Sequence, residues 1–381
     1  MERLGWSFVA KARESFDPGF YTLAEQSALC LESRQPNAPE ALLLRGHALH
    51  NMHGFKEAEP LARELVAKRG LPADFGLLGD VLMEQGQLNE AVEAYQTMLD
   101  LKPDLHAYAR AAHVRWLKGD LEGAVELMQV AASASSPQTP EPSAWVHTRL
   151  AALQFQAGAI QEAEQTCAAA LELQRNYAPA LLLRGRIRLS KGKAAEALEP
   201  LRRAATLNPL AEYQWLLAEA LYEAGRADEA LAVEKQLREH GADSDPRTFA
   251  LFLATRGESP GVAVAFAEHE LSHRADVFTH DALAWSLSAT GKMAEAQREM
   301  QLALADGTVD ARLFFHATII AAKSGYREEA RRWLHKAQKS IHGLLPSEAK
   351  QLQFAALELE RDSVADRSNS SRPQTFSTAG N

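Results

Sequence analysis

Cysteine is nearly absent: Cys30 and Cys167 are the two in 381 residues. That excludes a disulfide scaffold and a zinc module built on paired thiolates. Long hydrophobic runs are missing as well, and none approaches the roughly 20 residues that span a bilayer. There is no excess of positive charge. The 41 Lys and Arg face 50 Asp and Glu, a net charge of -9, which argues against a nucleic-acid binder with a basic face. The opening MERLGWSFVAKARESF alternates charged and apolar residues without a hydrophobic stretch, so no signal peptide is evident. No Ser/His/Asp ordering, phosphate-binding glycine loop or dinucleotide fingerprint occurs. The remaining composition, 46% hydrophobic and 24% charged, is that of a folded chain. The expectation is a cytoplasmic protein without membrane insertion, nucleic acid or cofactor.

What is present is a repeat. The stretch PADFGLLGDVLMEQGQLNEAVEAYQTMLDLKP, from Pro72 to Pro103, aligns with APALLLRGRIRLSKGKAAEALEPLRRAATLNP, from Ala178 to Pro209. Gly79 falls on Gly185, Gly86 on Gly192, Ala91 on Ala197 and Pro103 on Pro209. A turn glycine recurs at Gly86, Gly119, Gly158, Gly192, Gly225, Gly257, Gly291 and Gly325. All intervals lie between 32 and 34 residues except the 39 from Gly119 to Gly158. Five places after each comes Ala91, Ala124, Ala163, Ala197, Ala230, Ala296 or Ala330, and only Gly257 breaks the rule, with Val262.

The period and the small-residue positions resemble the tetratricopeptide repeat (TPR), a helix–turn–helix of 34 residues. The Ala- and Leu-rich units resemble those of bacterial multi-TPR proteins. The resemblance implies an all-α fold, a right-handed α-solenoid of about ten TPR helix hairpins with a C-terminal capping helix. The divisions expected are a worn hairpin at 1–38, TPR units at 39–132, a Ser/Pro-rich loop at 133–143, and TPR units at 144–341. Within these, 243–276 is degenerate. A capping helix at 342–360 and a disordered tail at 361–381 complete the chain. Helices of 12–14 residues are marginal alone in water, so stacked hairpins must share one core, each touching its neighbours. That connectivity predicts broad unfolding.

Two motifs invite chemistry. His269, Glu270 and His273 fit H-E-x-x-H, in which histidines four apart on a helix share zinc beside a glutamate base. In the repeat frame, however, His273 falls at a helix exit, where ligand geometry is lost. No metal and no catalytic residue are expected; a zinc-dependent hydrolase is the alternative. His47, His50 and His53 share one helix at intervals of three; His47 and His50 could share a metal or make a pH-sensitive contact, and with no carboxylate beside them they read as polar groove residues. Cys30 and Cys167 read as core thiols.

In TPR arrays the second, fifth, ninth and twelfth positions of each first helix face a concave groove. On those positions the resemblance places Trp145, Trp215, Trp285, Trp116, Phe155, Tyr222, Phe315 and Glu219. Aromatic rings of this kind form binding hot spots, so an open, aromatic-rich groove for a protein or peptide ligand is expected. Leu43 and His47, Gly76 and Asp80, and Ala109 and His113 stand where chaperone-binding TPR clamps carry Lys and Asn, so that clamp is not expected. The function expected is a non-enzymatic interaction scaffold. A periplasmic assembly or secretion accessory is the alternative if the native start lies upstream.

Overall fold

The computed structural model describes residues 1–370, and among them there are helices and short connections but no strand. Ten antiparallel helix pairs follow one another. Hairpin 1 is α1 (Glu2–Ser15) with α2 (Gly19–Arg34), and hairpin 2 is α3 (Pro39–Asn51) with α4 (Phe55–Lys68). Hairpin 3 is α5 (Pro72–Glu84) with α6 (Leu88–Leu101), and hairpin 4 is α7 (Leu105–Leu117) with α8 (Leu121–Ser133). Hairpin 5 is α9 (Pro140–Gln156) with α10 (Ile160–Leu173), and hairpin 6 is α11 (Ala178–Ser190) with α12 (Ala194–Leu207). Hairpin 7 is α13 (Ala211–Glu223) with α14 (Ala227–Ser244), and hairpin 8 is α15 (Pro246–Arg256) with α16 (Pro260–Leu271). Hairpin 9 is α17 (Val277–Ala289) with α18 (Met293–Leu304), and hairpin 10 is α19 (Ala311–Lys323) with α20 (Arg327–Lys339). A single 3-10 turn, Ile341–Gly343, leads into α21 (Pro346–Ser370).

The helices start where the sequence supplies a cap. Asp104, Asp276 and Asp310 accept backbone N–H bonds at the heads of α7, α17 and α19, satisfying donors that a helix leaves orphaned. Proline opens α3, α5, α9, α15 and α16, where its missing N–H costs nothing. All eight turn glycines have positive φ. In hairpin 2 that role passes to His53, at φ 62, and Ala58, five residues on, fills the usual packing site.

The alanines five places after the turn glycines are fully buried, from Ala91 to Ala330. Opposite them, a Cβ on Gly79 would strike the Tyr95 ring, so the bare glycine sets how closely α5 and α6 approach. In hairpin 8, Val262 lies exposed and Ala263 occupies the packing site instead. Ser259 adds a second left-handed residue to that turn, at φ 43, and the packing site shifts by one. The hairpin therefore keeps the rule in a new register.

The coil winds tightly enough that hairpins far apart in sequence touch, beyond the neighbour contacts of a simple solenoid. The turn of hairpin 3 meets the connection between hairpins 8 and 9: the Ala275 amide donates to the Glu84 carbonyl at 3.0 Å, and Arg274 Nε meets Glu84 Oε2 at 2.6 Å. One hairpin on, Thr308 Oγ1 donates to the Leu117 carbonyl at 2.7 Å. Next, His342 Nε2 donates to the Phe155 carbonyl at 2.6 Å, and Arg186 to the Gly343 carbonyl at 2.8 Å. Finally α21 joins hairpin 7, where the Ser347 hydroxyl donates to Glu219 at 2.7 Å and Lys350 pairs with Glu223 at 2.6 Å. Near the N-terminus, the Phe16 ring stands 5.9 Å from that of Tyr177. These contacts form a seam along which successive turns of the coil are fastened.

The Ser/Pro-rich segment contracts to a connection at 134–139, because Pro140 starts α9 early. Ser143 folds inward and exchanges two 2.9 Å hydrogen bonds with the backbone of Ser136. The capping helix runs beyond the expected limit at 360 to Ser370. The remainder of the expected tail, 371–381, lies outside the described residues.

Candidate partner-binding face

Most of the groove-position rings are enclosed, which corrects the expectation of an open aromatic groove. Trp215 is 1% exposed and Phe315 fully buried, whereas Phe75, on the first helix of hairpin 3, is only half-buried. The chain itself encloses them: Trp116, Phe155 and Trp215 are covered across the seam, and Trp285 and Phe315 by neighbouring hairpins. Trp116 Nε1 donates to the Val309 carbonyl at 2.8 Å, and its ring lies 5.5 Å from Phe278. The edge of Phe155 meets His342 at 5.3 Å. Arg312 lies 5.1 Å above Trp215. Trp285 stacks on His316 at 4.2 Å and donates to Thr255 Oγ1 at 2.9 Å. Glu219, 3% exposed, accepts from Trp215 at 3.3 Å, Arg256 at 3.3 Å and Ser347. Burial raises its carboxyl pKa, opposed by the Ser347 and Arg256 contacts. Of the seven aromatic residues at these positions, Trp145 and Tyr222 alone are half-buried rather than buried.

A polar set on the first helices of hairpins 1 to 5 also faces inward, and only its histidines gave a sequence signal. Arg110 makes a two-armed pair with Asp80, at 2.7 and 2.6 Å, and Tyr95 donates to the same carboxylate at 2.8 Å. Burial works against ionised Asp80, but Arg110 holds it down at about 2. Arg149 donates to His113 Nδ1 at 2.9 Å, and Arg13 to His47 Nε2 at 3.3 Å. Burial, with Arg13 beside one imidazole and Arg149 beside the other, lowers both histidines to about 3. His53 is lowered to about 4, by burial and by Arg274 and Arg247.

The H-E-x-x-H residues do not assemble into a metal centre. The His269 and His273 rings are 4.9 Å apart, but His273 lies past the end of α16 and its Nδ1 is engaged by Ser272. Glu270 is buried and faces Arg274 at 3.6 Å. Among the described residues no three His, Cys, Asp or Glu side chains converge to hold a metal ion. Also among the described residues, no helix is long and apolar enough to cross a membrane.

No curated protein matches the sequence. The tetratricopeptide repeat family profile matches residues 77–140 and 182–246. Among solved structures, the Cut9–Hcn1 hetero-tetramer of the APC/C aligns over 86% of this chain and 55% of its own, with 15% identity and a TM-score of 0.52. The human IFIT1 dimer with PPP-AAAA aligns over 76% of this chain and 69% of its own, with 17% identity and a TM-score of 0.53. This chain thus spans about half the length of the first, and at these identities the likeness is one of fold. A repeat solenoid of this kind is an architecture of protein and peptide interaction. Its hairpins, turn glycines and alanine ladder place the chain in the tetratricopeptide repeat superfamily.

Proposed function

We propose that the protein is a cytoplasmic, non-enzymatic scaffold that holds a segment of a partner protein against the inner face of the coil. One observation carries this reading: the inner positions already grip polypeptide. Trp116 and Arg186 each donate to a main-chain carbonyl of a distant connection, at Val309 and Gly343. The same chemistry suits an extended partner segment, since main-chain hydrogen bonds give affinity and side-chain pockets give selectivity. Trp145 and Tyr222, with open ring surface, are the direct contacts in this proposal. Trp116, Phe155, Trp215, Glu219, Trp285 and Phe315 form the wall behind them. The two unpaired thiols, Cys30 and Cys167, fit a reducing compartment.

The test is affinity capture from a lysate with the whole protein, followed by titration of the recovered partner. Trp145→Ala and Tyr222→Ala are expected to weaken binding at least about 10-fold, the effect of a modest hot spot, with circular dichroism unchanged. Trp215→Ala is expected to lose stability first, because its ring is enclosed. Undiminished binding by both Trp145→Ala and Tyr222→Ala overturns the assignment of the face.

A further inference from the structure

In a chain with nine more acidic than basic residues, α20 runs against the trend. Its 13 residues hold Arg327, Arg331, Arg332, Lys336 and Lys339 against Glu328 and Glu329. Arg331 is paired with Glu328 and also donates to the Leu359 carbonyl at 3.3 Å. Arg332, Lys336 and Lys339 are exposed. No carboxylate among the described residues lies within ion-pair distance of any of the three. Their spacing, four residues and then three, puts them in one stripe along the helix.

Lys336 is also held in place. Its Nζ lies 4.5 Å from the centre of the Trp333 ring and 5.4 Å from that of Phe314, and those two rings stack at 5.8 Å. Trp333 is steadied in turn by Glu329, which accepts from its Nε1 at 3.3 Å. A lysine settled on aromatic faces has given up freedom that an exposed lysine normally keeps. An anion that meets it is spared that ordering cost.

Beside the stripe lies an apolar cleft of about 250 Å³ between the end of α20 and α21. Ile341, Leu352, Ala356 and Leu357 line it, together with Gln338 and Gln353. Gln338 is the immediate neighbour of Lys339, so cleft and stripe adjoin. Leu357 is 55% exposed, and Phe354, one turn earlier on α21, is 63% exposed. All these residues belong to the second helix of hairpin 10 and the segment that follows it, none to the first-helix positions of the inner face.

We propose that this stripe and cleft dock an amphipathic helix of a partner protein, its apolar edge in the cleft and a row of carboxylates along Arg332, Lys336 and Lys339. Charge complementarity selects the occupant. From Arg332 to Lys339 is about 10 Å, or two helical turns, the reach of carboxylates at matching spacings on a helix laid alongside. A cleft between two helices takes the side-chain ridge of a third. A second copy bound through the same surface would set cation stripe against cation stripe. Residues 371–381 contain Arg372 and no acid, so they do not supply the charge. The site goes beyond the inner-face scaffold reading and does not rest on it.

The experiment titrates the whole protein with three probes. The first is a helical peptide of about four turns with blocked ends, carrying leucines along one edge and glutamates along the next. The second has lysine in place of each glutamate, and the third is phosphatidylserine vesicles. The glutamate peptide is expected to bind, to change Trp333 emission and to weaken with added salt. Arg332→Glu combined with Lys339→Glu is expected to weaken the glutamate peptide at least about 10-fold and to gain the lysine peptide. The thermal midpoint should stay unchanged, since both side chains are exposed. Leu357→Gln is expected to weaken the glutamate peptide at least about 5-fold by spoiling the cleft. Should the reversed variant fold poorly, Lys339→Gln alone carries the same direction at about 3-fold. Trp145→Ala with Tyr222→Ala is expected to leave this binding intact, whatever becomes of the inner-face reading. No binding of the glutamate peptide, equal binding by wild type and the reversed variant, preference for vesicles, or loss of binding in the inner-face variant overturns the site.

Discussion

Trp116 Nε1 and the Val309 carbonyl are hydrogen-bonded at 2.8 Å across 193 residues of chain. Trp116→Phe keeps most of the apolar ring but strips the carbonyl of its donor, for an expected loss of about 1–2 kcal/mol. Trp116→Ala also empties the space against Phe278, for an expected loss of about 3–5 kcal/mol. Urea unfolding measures both. Losses near zero for both variants contradict the seam.

Tryptophan emission reads the enclosure directly. Trp116, Trp215 and Trp285 are buried, while Trp6, Trp145 and Trp333 are half-buried. The free protein is expected to emit mainly in the blue, with a minor fraction quenched by acrylamide. Trp145→Phe should remove more of the quenchable fraction than Trp215→Phe. A wholly red, quenchable spectrum is inconsistent with these positions.

Arg274 is the charged fastener of the seam. It meets Glu84 at 2.6 Å and lies 5.2 Å above the Phe55 ring. Burial raises the Glu84 carboxyl, and Arg274 opposes that rise. Arg274→Ala leaves the carboxylate unmatched in a partly buried place, at an expected cost of about 2 kcal/mol. Small-angle scattering should show an expanded coil, and amide exchange at 272–276 should quicken. Unchanged scattering and exchange exclude a fastening role.

Stability should fall on acidification before the carboxylates titrate. His47 and His113 titrate at about 3 in the folded protein, against an ordinary 6.5, because burial and the adjacent arginines disfavour their charged forms. Between those values the unfolded chain binds more protons than the folded one, so stability rises with pH. The contribution is complete above about 6.5 and is lost progressively below it. Glu84 and Glu219, raised by burial, act in the opposite direction around and above their usual 4.5. The thermal midpoint should drop from pH 7 to pH 5, and His113→Gln should flatten the slope. A flat profile in the wild type refutes this account.

Two turn glycines make a controlled pair. Gly119 and Gly225 have φ of 84 and 74, so alanine at either is strained by roughly 1 kcal/mol. A Cβ on Gly225 meets nothing within 4 Å, whereas one on Gly119 falls 2.7 Å from the Gly307 carbonyl oxygen. Gly119→Ala should therefore cost more in urea unfolding and should also expand the coil. Equal losses place no load on that contact.

The hairpins were legible in the sequence because each repeats its own evidence. Turn glycine, buried alanine and terminal proline are local signals, and even in hairpin 8, where left-handed Ser259 goes with a packing site one place later, they remain recognisable. The seam left no such trace. Whether Trp116 meets water or Val309 depends on rotations accumulated over five hairpins, and no short segment encodes that sum. An aromatic ring at an inner position also looks the same in sequence whether a partner or the chain's own later turn covers it. His47 and His50 stood out by their spacing on one helix. Arg149 did not, because its contact with His113 joins two hairpins 36 residues apart in sequence.

A row of hairpins joined end to end behaves as a spring, and a spring yields because its coils are free to part. Here the coils are tacked together at Glu84, Leu117, Phe155 and Glu219. Stretching the molecule must break those tacks before it can lengthen, so resistance to pulling should be stiff at first and then give way abruptly.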